Sequence, residues 1–200
     1  MQNDPFQLSD NLLPFDGKAY LYDSFFTAQE ADHFYEDLAK NIPWRQEPIK
    51  IFGKVVMQPR LTAFYGDAGK PYRYSGIEMI PIEWNGVLLA IKNRVEKMAG
   101  TVFSSALLNY YRNGHDSMGW HRDNEKSLGY QPVIASASFG AGRTFRFRYY
   151  KDKKLVQAVE LGHGSLLLMM GDTQHFWEHC LPKSARAAEP RINVTFRAVN

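Results

Sequence analysis

Six short runs of aliphatic, β-branched and aromatic residues, each bounded by turn formers, crowd the second half of the chain: Ala106–Tyr111, Val133–Phe139, Thr144–Tyr150, Leu155–Leu161, Ser165–Met170 and Ile192–Arg197. Short strands at this density predict a sandwich or jelly roll over residues 101–198. Lys151-Asp152-Lys153-Lys154 reads as a charged hairpin turn between two of them. Two helices flank this region. Thr27-Ala28-Gln29-Glu30 fits a capping box, Ala31, Phe34, Tyr35 and Leu38 follow at helical spacing, and Pro43 sets the end. Leu88, Ile91, Val95 and Met98 mark a second helix from about Asn85, with Gly100 as its left-handed stop. Its apolar stripe is suited to bracing a sheet.

The chain has 200 residues, 44% of them apolar and 22% charged, which fits one globular domain and excludes disordered, collagen-like and coiled-coil classes. The longest aliphatic run, Leu166 to Met170, falls far short of the roughly 20 residues that span a bilayer, and the first residues lack a secretory pattern. A soluble, intracellular, monomeric protein with no membrane contact is expected. The lone Cys180 forms no intrachain disulfide and no thiolate metal cluster, in keeping with a reducing compartment. A net charge of +3 permits an anionic partner without requiring one. Residues 1–20 read as a tail that orders on contact. Residues 45–80, rich in aromatics, Gly, Pro and Lys/Arg, form a compositional island and a candidate lid.

His121 and Asp123 stand at i and i+2, so on an extended strand both side chains leave one face with Cα atoms about 7 Å apart. A third ligand has three candidates, His163, His175 and His179, and period-two alternation places His175, Trp177 and His179 on one side of an extended segment. Two histidines and one carboxylate leave coordination positions open and suit non-haem Fe(II) better than structural zinc. Downstream, Arg191, Asn193, Thr195 and Arg197 alternate with Ile192, Val194 and Phe196. A strand of this kind either divides an apolar core from a polar cavity or lies at an edge with a solvated basic face. In the first case the arginines need carboxylates, and a dicarboxylate such as 2-oxoglutarate meets that need.

Taken together, Asn109-Tyr110-Tyr111, His121-Arg122-Asp123-Asn124-Glu125, Ser136-Ala137-Ser138-Phe139-Gly140, His163-Gly164-Ser165-Leu166, His179-Cys180-Leu181-Pro182 and Pro190 to Arg197 resemble the AlkB family of Fe(II)- and 2-oxoglutarate-dependent nucleic-acid dealkylases. Upstream, Phe52-Gly53-Lys54, Pro59-Arg60, Tyr65-Gly66-Asp67-Ala68-Gly69 and Tyr72-Arg73-Tyr74-Ser75-Gly76 resemble the nucleotide-recognition lid of members that repair duplex DNA. The resemblance covers roughly residues 20 to 197. It implies a mainly β fold with flanking helices, a double-stranded β-helix (jelly roll) carrying an N-terminal lid.

By that resemblance, His121, Asp123 and His179 are the iron ligands, and Asn109, Tyr111, Arg191, Thr195 and Arg197 bind 2-oxoglutarate. Asn193 shares their face. A seven-residue strand sets its end Cα atoms about 20 Å apart, so Arg191 and Arg197 serve opposite ends of the guest, Arg191 the distal carboxylate and Arg197 the metal end. Tyr74 and the His121 ring would sandwich a flipped base, Phe52 would wedge into the vacated duplex, and Gly53, Lys54, Tyr72, Arg73, Asn124 and Glu125 would complete the substrate contacts. Close relatives carry an acid where this chain has Asn124, which moves attraction for a cationic methylated base toward Glu125.

The implied reaction uses O2 and 2-oxoglutarate to demethylate 1-methyladenine or 3-methylcytosine in DNA, in a bacterial cytoplasm or a eukaryotic nucleus. RNA, protein or a small molecule as substrate is the alternative. A non-catalytic jelly roll with structural or zinc-bound histidines is another. Lys54, Arg60, Lys70, Arg73, Arg122 and Lys126 are the expected phosphate contacts.

Overall fold

In the computed structural model the described residues are 10–51, 54–68, 72–74, 77–187 and 189–199, of which residues 50, 51, 72–74 and 77–79 are described through their backbone. In chain order the strands are β1 (Lys18–Tyr22), β2 (Pro48–Ile51), β3 (Lys54–Met57), β4 (Leu61–Gly66), β5 (Tyr72–Tyr74), β6 (Ile77–Met79), β7 (Ser105–Tyr111), β8 (Met118–His121), β9 (Ile134–Gly140), β10 (Arg143–Tyr149), β11 (Val156–Leu161), β12 (Ser165–Met170), β13 (Trp177–Leu181) and β14 (Arg191–Arg197). The α-helices are α1 (Ala28–Asn41), α2 (Gly86–Ala99) and the single turn α3 (Thr173–Phe176), and a short 3-10 helix covers Lys126–Leu128.

β14 decides the layering. Its Ile192, Val194 and Phe196 join Ala106, Leu108, Ala137, Phe139, Leu166 and Leu168 in a core beneath α1 and α2. The opposite face of that sheet supplies Leu107, Ile134, Leu167 and Met169 to a second core shared with Phe147, Leu161 and Trp177. Each large apolar side chain buried in this way contributes about 1.5–3 kcal/mol. The result is three layers: helices, a six-stranded sheet ordered β1-β12-β9-β14-β7-β4, and a four-stranded sheet ordered β11-β10-β13-β8. From β7 onward the chain passes repeatedly between the two sheets, and all their pairings are antiparallel. This winding is the double-stranded β-helix.

The helices form for the reasons legible in the sequence. The Thr27 hydroxyl accepts the Glu30 N–H at 3.3 Å and Glu30 Oε2 accepts the Thr27 N–H at 2.9 Å, closing the capping box. Asn85 caps α2 by accepting the Leu88 N–H, and Gly100 ends it at φ 63°.

Three expectations need correction. Residues 10–20 are not a tail: β1 pairs along its whole length with β12, Leu13 is buried, and the Phe15 carbonyl accepts the Trp177 indole N–H. Within the segment read as a lid, β4 pairs with β7 in the main sheet and Tyr65 is buried in the helix-side core. Its other described residues include two antiparallel strand pairs, β2–β3 and β5–β6. Finally, His175 lies in the α3 turn rather than on an extended segment, so it does not share a face with His179.

Candidate metal centre and cosubstrate pocket

His121 closes β8 and His179 sits on β13 as its direct antiparallel partner, which brings the two rings to 4.2 Å between centroids at 68°. Asp123 lies two residues on, where the chain turns out of β8. One donor atom from each of His121, Asp123 and His179 falls within 4.8 Å of the others. Strand register brings the remote His179 to the His121–Asp123 pair, which sequence proximity already holds together.

Each side chain is held in a metal-ready form. The His121 Nδ1–H donates to the Gly119 carbonyl at 2.9 Å, which leaves Nε2 as the lone-pair nitrogen. Burial, followed by the charge of the adjacent His121, pushes His179 down to about 3, and burial lowers His121 as well, so both rings are neutral at pH 7. Burial alone would raise Asp123, but Arg197 and the two histidines hold it below the ordinary carboxylate value. The buried His179 Nδ1 has no hydrogen-bond partner. Two neutral imidazoles and one carboxylate, with His121 half-exposed at the mouth, fit a divalent iron that keeps open positions.

Behind this cluster the space between the sheets is lined by Asn109 and Tyr111 of β7, Ser136 of β9, and Arg191, Asn193, Thr195 and Arg197 of β14, with apolar walls from Leu107, Met118, Phe145, Met169 and Leu181. Alternation on β14 therefore resolves in favour of a cavity rather than a solvated edge. Arg191 is 2% exposed; its Nη2 donates to the neutral Ser138 hydroxyl at 2.8 Å, while its Nε has no partner. Burial pulls this guanidinium down to about 10. Its Cζ lies 5.4 Å from the centre of the Tyr111 ring. A buried, under-satisfied guanidinium at the inner end of a polar pocket fits the distal carboxylate of 2-oxoglutarate.

Other predicted residues are placed as follows. Asn193 lines the pocket but commits its amide internally, donating to Ser136 Oγ and the Ala137 carbonyl and accepting from Thr195 Oγ1. Asn109 Oδ1 accepts the Arg60 Nε–H at 2.7 Å. Arg60, expected on phosphate, is 4% exposed and is instead part of the pocket's support. Arg122 donates to the His175 carbonyl and covers the Tyr150 ring at 4.0 Å. Asn124 is exposed and Glu125 half-buried on the turn after Asp123; Lys54 and Lys126 are exposed. Phe52, Gly53 and Lys70 lie outside the described residues, and Tyr72, Arg73 and Tyr74 form β5 with side chains that are not described.

Two rival histidines fall elsewhere. His163 accepts the Gly140 N–H and approaches Asp32 at 3.2 Å, and His175 Nε2 contacts the Tyr130 carbonyl. One participant had no sequence signal: Gln174, whose Oε1 accepts the Asp123 backbone N–H at 2.9 Å.

This fold and this donor set define a class, and comparison with known proteins agrees. The model of the 2OG-Fe(II) oxygenase superfamily matches residues 18–197. The chain belongs to that superfamily, within its AlkB family. It is 46% identical over 188 residues to human alpha-ketoglutarate-dependent dioxygenase alkB homolog 3, across 90% of this chain and 65% of that protein. It is 38% identical over 189 residues to the human DNA oxidative demethylase ALKBH2, across 89% of this chain and 72% of that protein. The match thus spans just under two thirds of the first of these relatives. A solved structure titled "The structure of OsALKBH1" superposes with a TM-score of 0.64 over 93% of this chain and 99% of that one; at 14% identity this likeness concerns the fold alone.

Proposed function

We propose that this chain oxidatively removes alkyl groups from ring nitrogens of nucleic-acid bases, with 1-methyladenine and 3-methylcytosine in DNA as substrates. The observation that carries the reading is a single pocket with a His/His/Asp cluster at its mouth and an under-satisfied buried arginine at its inner end. The names of the relatives, a dioxygenase and a DNA oxidative demethylase, support it.

Fe(II), when bound, supplies dioxygen activation coupled to oxidative decarboxylation of 2-oxoglutarate to succinate and CO2, delivering one oxygen atom to a C–H bond of the substrate. His121, Asp123 and His179 hold it. Arg191 anchors the distal carboxylate, with Tyr111, Asn109, Asn193 and Thr195 as the walls that orient the guest. Arg197 fixes Asp123 in its ionised form. Leu107, Met118, Phe145 and Leu181 keep bulk water from the reacting carbon. An N-methyl group hydroxylated here breaks its C–N bond, leaving as formaldehyde and returning a proton to solvent.

The substrate side follows from charge and stacking. Alkylation on the pairing edge makes the base cationic, and Glu125 beside Asn124 supplies the nearby negative charge. Flipping a base costs a few kcal/mol, and stacking returns about 1–3 kcal/mol per base. His121 and Tyr74 serve as the stacking pair, Phe52 as the wedge that fills the gap, and Gly53, Lys54, Tyr72 and Arg73 as the surrounding lid contacts.

Anaerobic reconstitution with Fe(II), followed by mass spectrometry of matched methylated single-stranded and duplex oligonucleotides after O2 addition, tests this reading. Loss of one CH2 per lesion is expected in both the single-stranded and the duplex oligonucleotide. Phe52→Ala should lower duplex repair more than single-strand repair, and equal losses contradict the wedge. Turnover of methylated RNA alone would move the substrate class away from DNA.

A further inference from the structure

We propose that Gln174 is a positioning residue for the metal centre, holding the backbone from which Asp123 presents its carboxylate. The inference rests on the His121/Asp123/His179 reading and adds the part that fixes one of its members. Gln174 is 1% exposed on the one-turn helix α3, yet its amide reaches a residue 51 positions earlier. The Asp123 amide lies beyond the last paired residue of β8, so the sheet gives it no acceptor. Gln174 Oε1 supplies one, at 2.9 Å. Because a backbone N–H can only donate, the side-chain orientation is fixed: oxygen toward Asp123, nitrogen toward Met169 Sδ at 3.7 Å.

The helix bearing Gln174 is itself tethered on both sides. Thr173 Oγ1 accepts the Lys18 N–H at 2.8 Å and donates to the Met170 carbonyl at 2.7 Å. The His175 carbonyl accepts Arg122 Nη1 at 2.9 Å. Residues 122 and 123, on either side of the peptide that aims the carboxylate, are thus both bonded to one turn of helix anchored on β1 and β12. Outer partners of metal ligands act in this way, and their loss typically weakens metal binding about 10- to 100-fold.

Mn(II) affinity of the metal-free protein, measured calorimetrically with 2-oxoglutarate present, is the test, together with the ligand-field spectrum of the Co(II) form. Gln174→Met keeps the volume and replaces the amide oxygen with a thioether, a much weaker acceptor; we expect about 10-fold weaker Mn(II) binding or more and an altered Co(II) spectrum. Gln174→Glu restores an acceptor at the same reach and should recover most of the affinity. Phe34→Leu, on the far side of the six-stranded sheet, should lower thermal stability without changing either readout. If Gln174→Met does not fold, Gln174→Asn, one methylene shorter, should bind Mn(II) more weakly than Gln174→Glu. Wild-type affinity and spectrum in Gln174→Met, or equal affinities in the Asn and Glu variants, overturn the proposal while leaving the metal reading intact. Absence of Mn(II) binding by the wild type overturns both.

Discussion

Arg197 Nη2 lies 2.9 Å from Asp123 Oδ2 and 3.0 Å from Oδ1, with the two side chains 4% and 1% exposed. The last residue of β14 thereby neutralises the one carboxylate of the metal cluster. A buried carboxylate without such a partner would take up a proton, and a protonated Asp123 is a poor ligand. The pair therefore makes the charge state of the centre a property of the fold.

Removing one partner leaves the other buried and uncompensated, which costs about 3–5 kcal/mol. Arg197→Met should destabilise the metal-free protein by about this amount in urea denaturation, and Arg197→Met combined with Asp123→Leu should recover a large part of the loss. A double variant no more stable than the single one would show that the pair is not what Arg197 supports.

The histidines give the metal-free protein a signed pH dependence. His179 is held at about 3 in the folded state against 6.5 when unfolded, so between these values the unfolded chain binds the extra proton. Stability should fall as pH drops below 6.5, by up to about 1.4 kcal/mol per unit for this ring alone. The lowered Asp123 adds a further loss below its unfolded value of 3.8. Urea unfolding at pH 7.5, 6 and 5 measures the slope, and His179→Leu should flatten it.

Much of the site was legible because it depends on alternation and register. β14 shows its division between core and cavity in seven consecutive residues, and the β12 boundaries, Ser165–Met170, match the sequence expectation residue for residue. The capping box of α1 and the Gly100 stop of α2 were visible because they are local chemistry. β1, β4 and β8 were not, since each is short and owes its conformation to a partner remote in sequence, β12, β7 and β13 respectively. The same limit hid Gln174 and misplaced Arg60: a polar side chain bonded to one distant atom leaves no periodic trace.

Arg191 should act on the cosubstrate and not on the metal. Arg191→Met removes a buried guanidinium whose Nε lacks a partner, so the fold should tolerate the change. Affinity of the Mn(II)-loaded protein for 2-oxoglutarate should drop about 30-fold or more, as expected for one side of a desolvated charge pair. Mn(II) affinity measured without 2-oxoglutarate should stay within about twofold, since Arg191 makes no contact with the cluster. Equal weakening of both would contradict the division of labour between the two ends of β14.

Gly114 marks a close approach that fixes the loop before β8. A Cβ there would come within 1.8 Å of the Ser184 carbonyl oxygen and 2.7 Å of that of Ala187, both backbone atoms. Gly114→Ala should therefore cost about 1–3 kcal/mol, read as a lowered urea midpoint with unchanged slope. A midpoint equal to that of the wild type would show that the 182–187 loop yields freely.

Formaldehyde and succinate counted from one methylated oligonucleotide, with Fe(II), 2-oxoglutarate and O2 supplied, test the whole account most directly. Wild-type protein should release the two in equal amounts as the methyl group disappears, and both should vanish in Asp123→Ala and on chelation. Demethylation that survives chelation or the loss of Asp123, or succinate formed with the methyl group left in place, would contradict it.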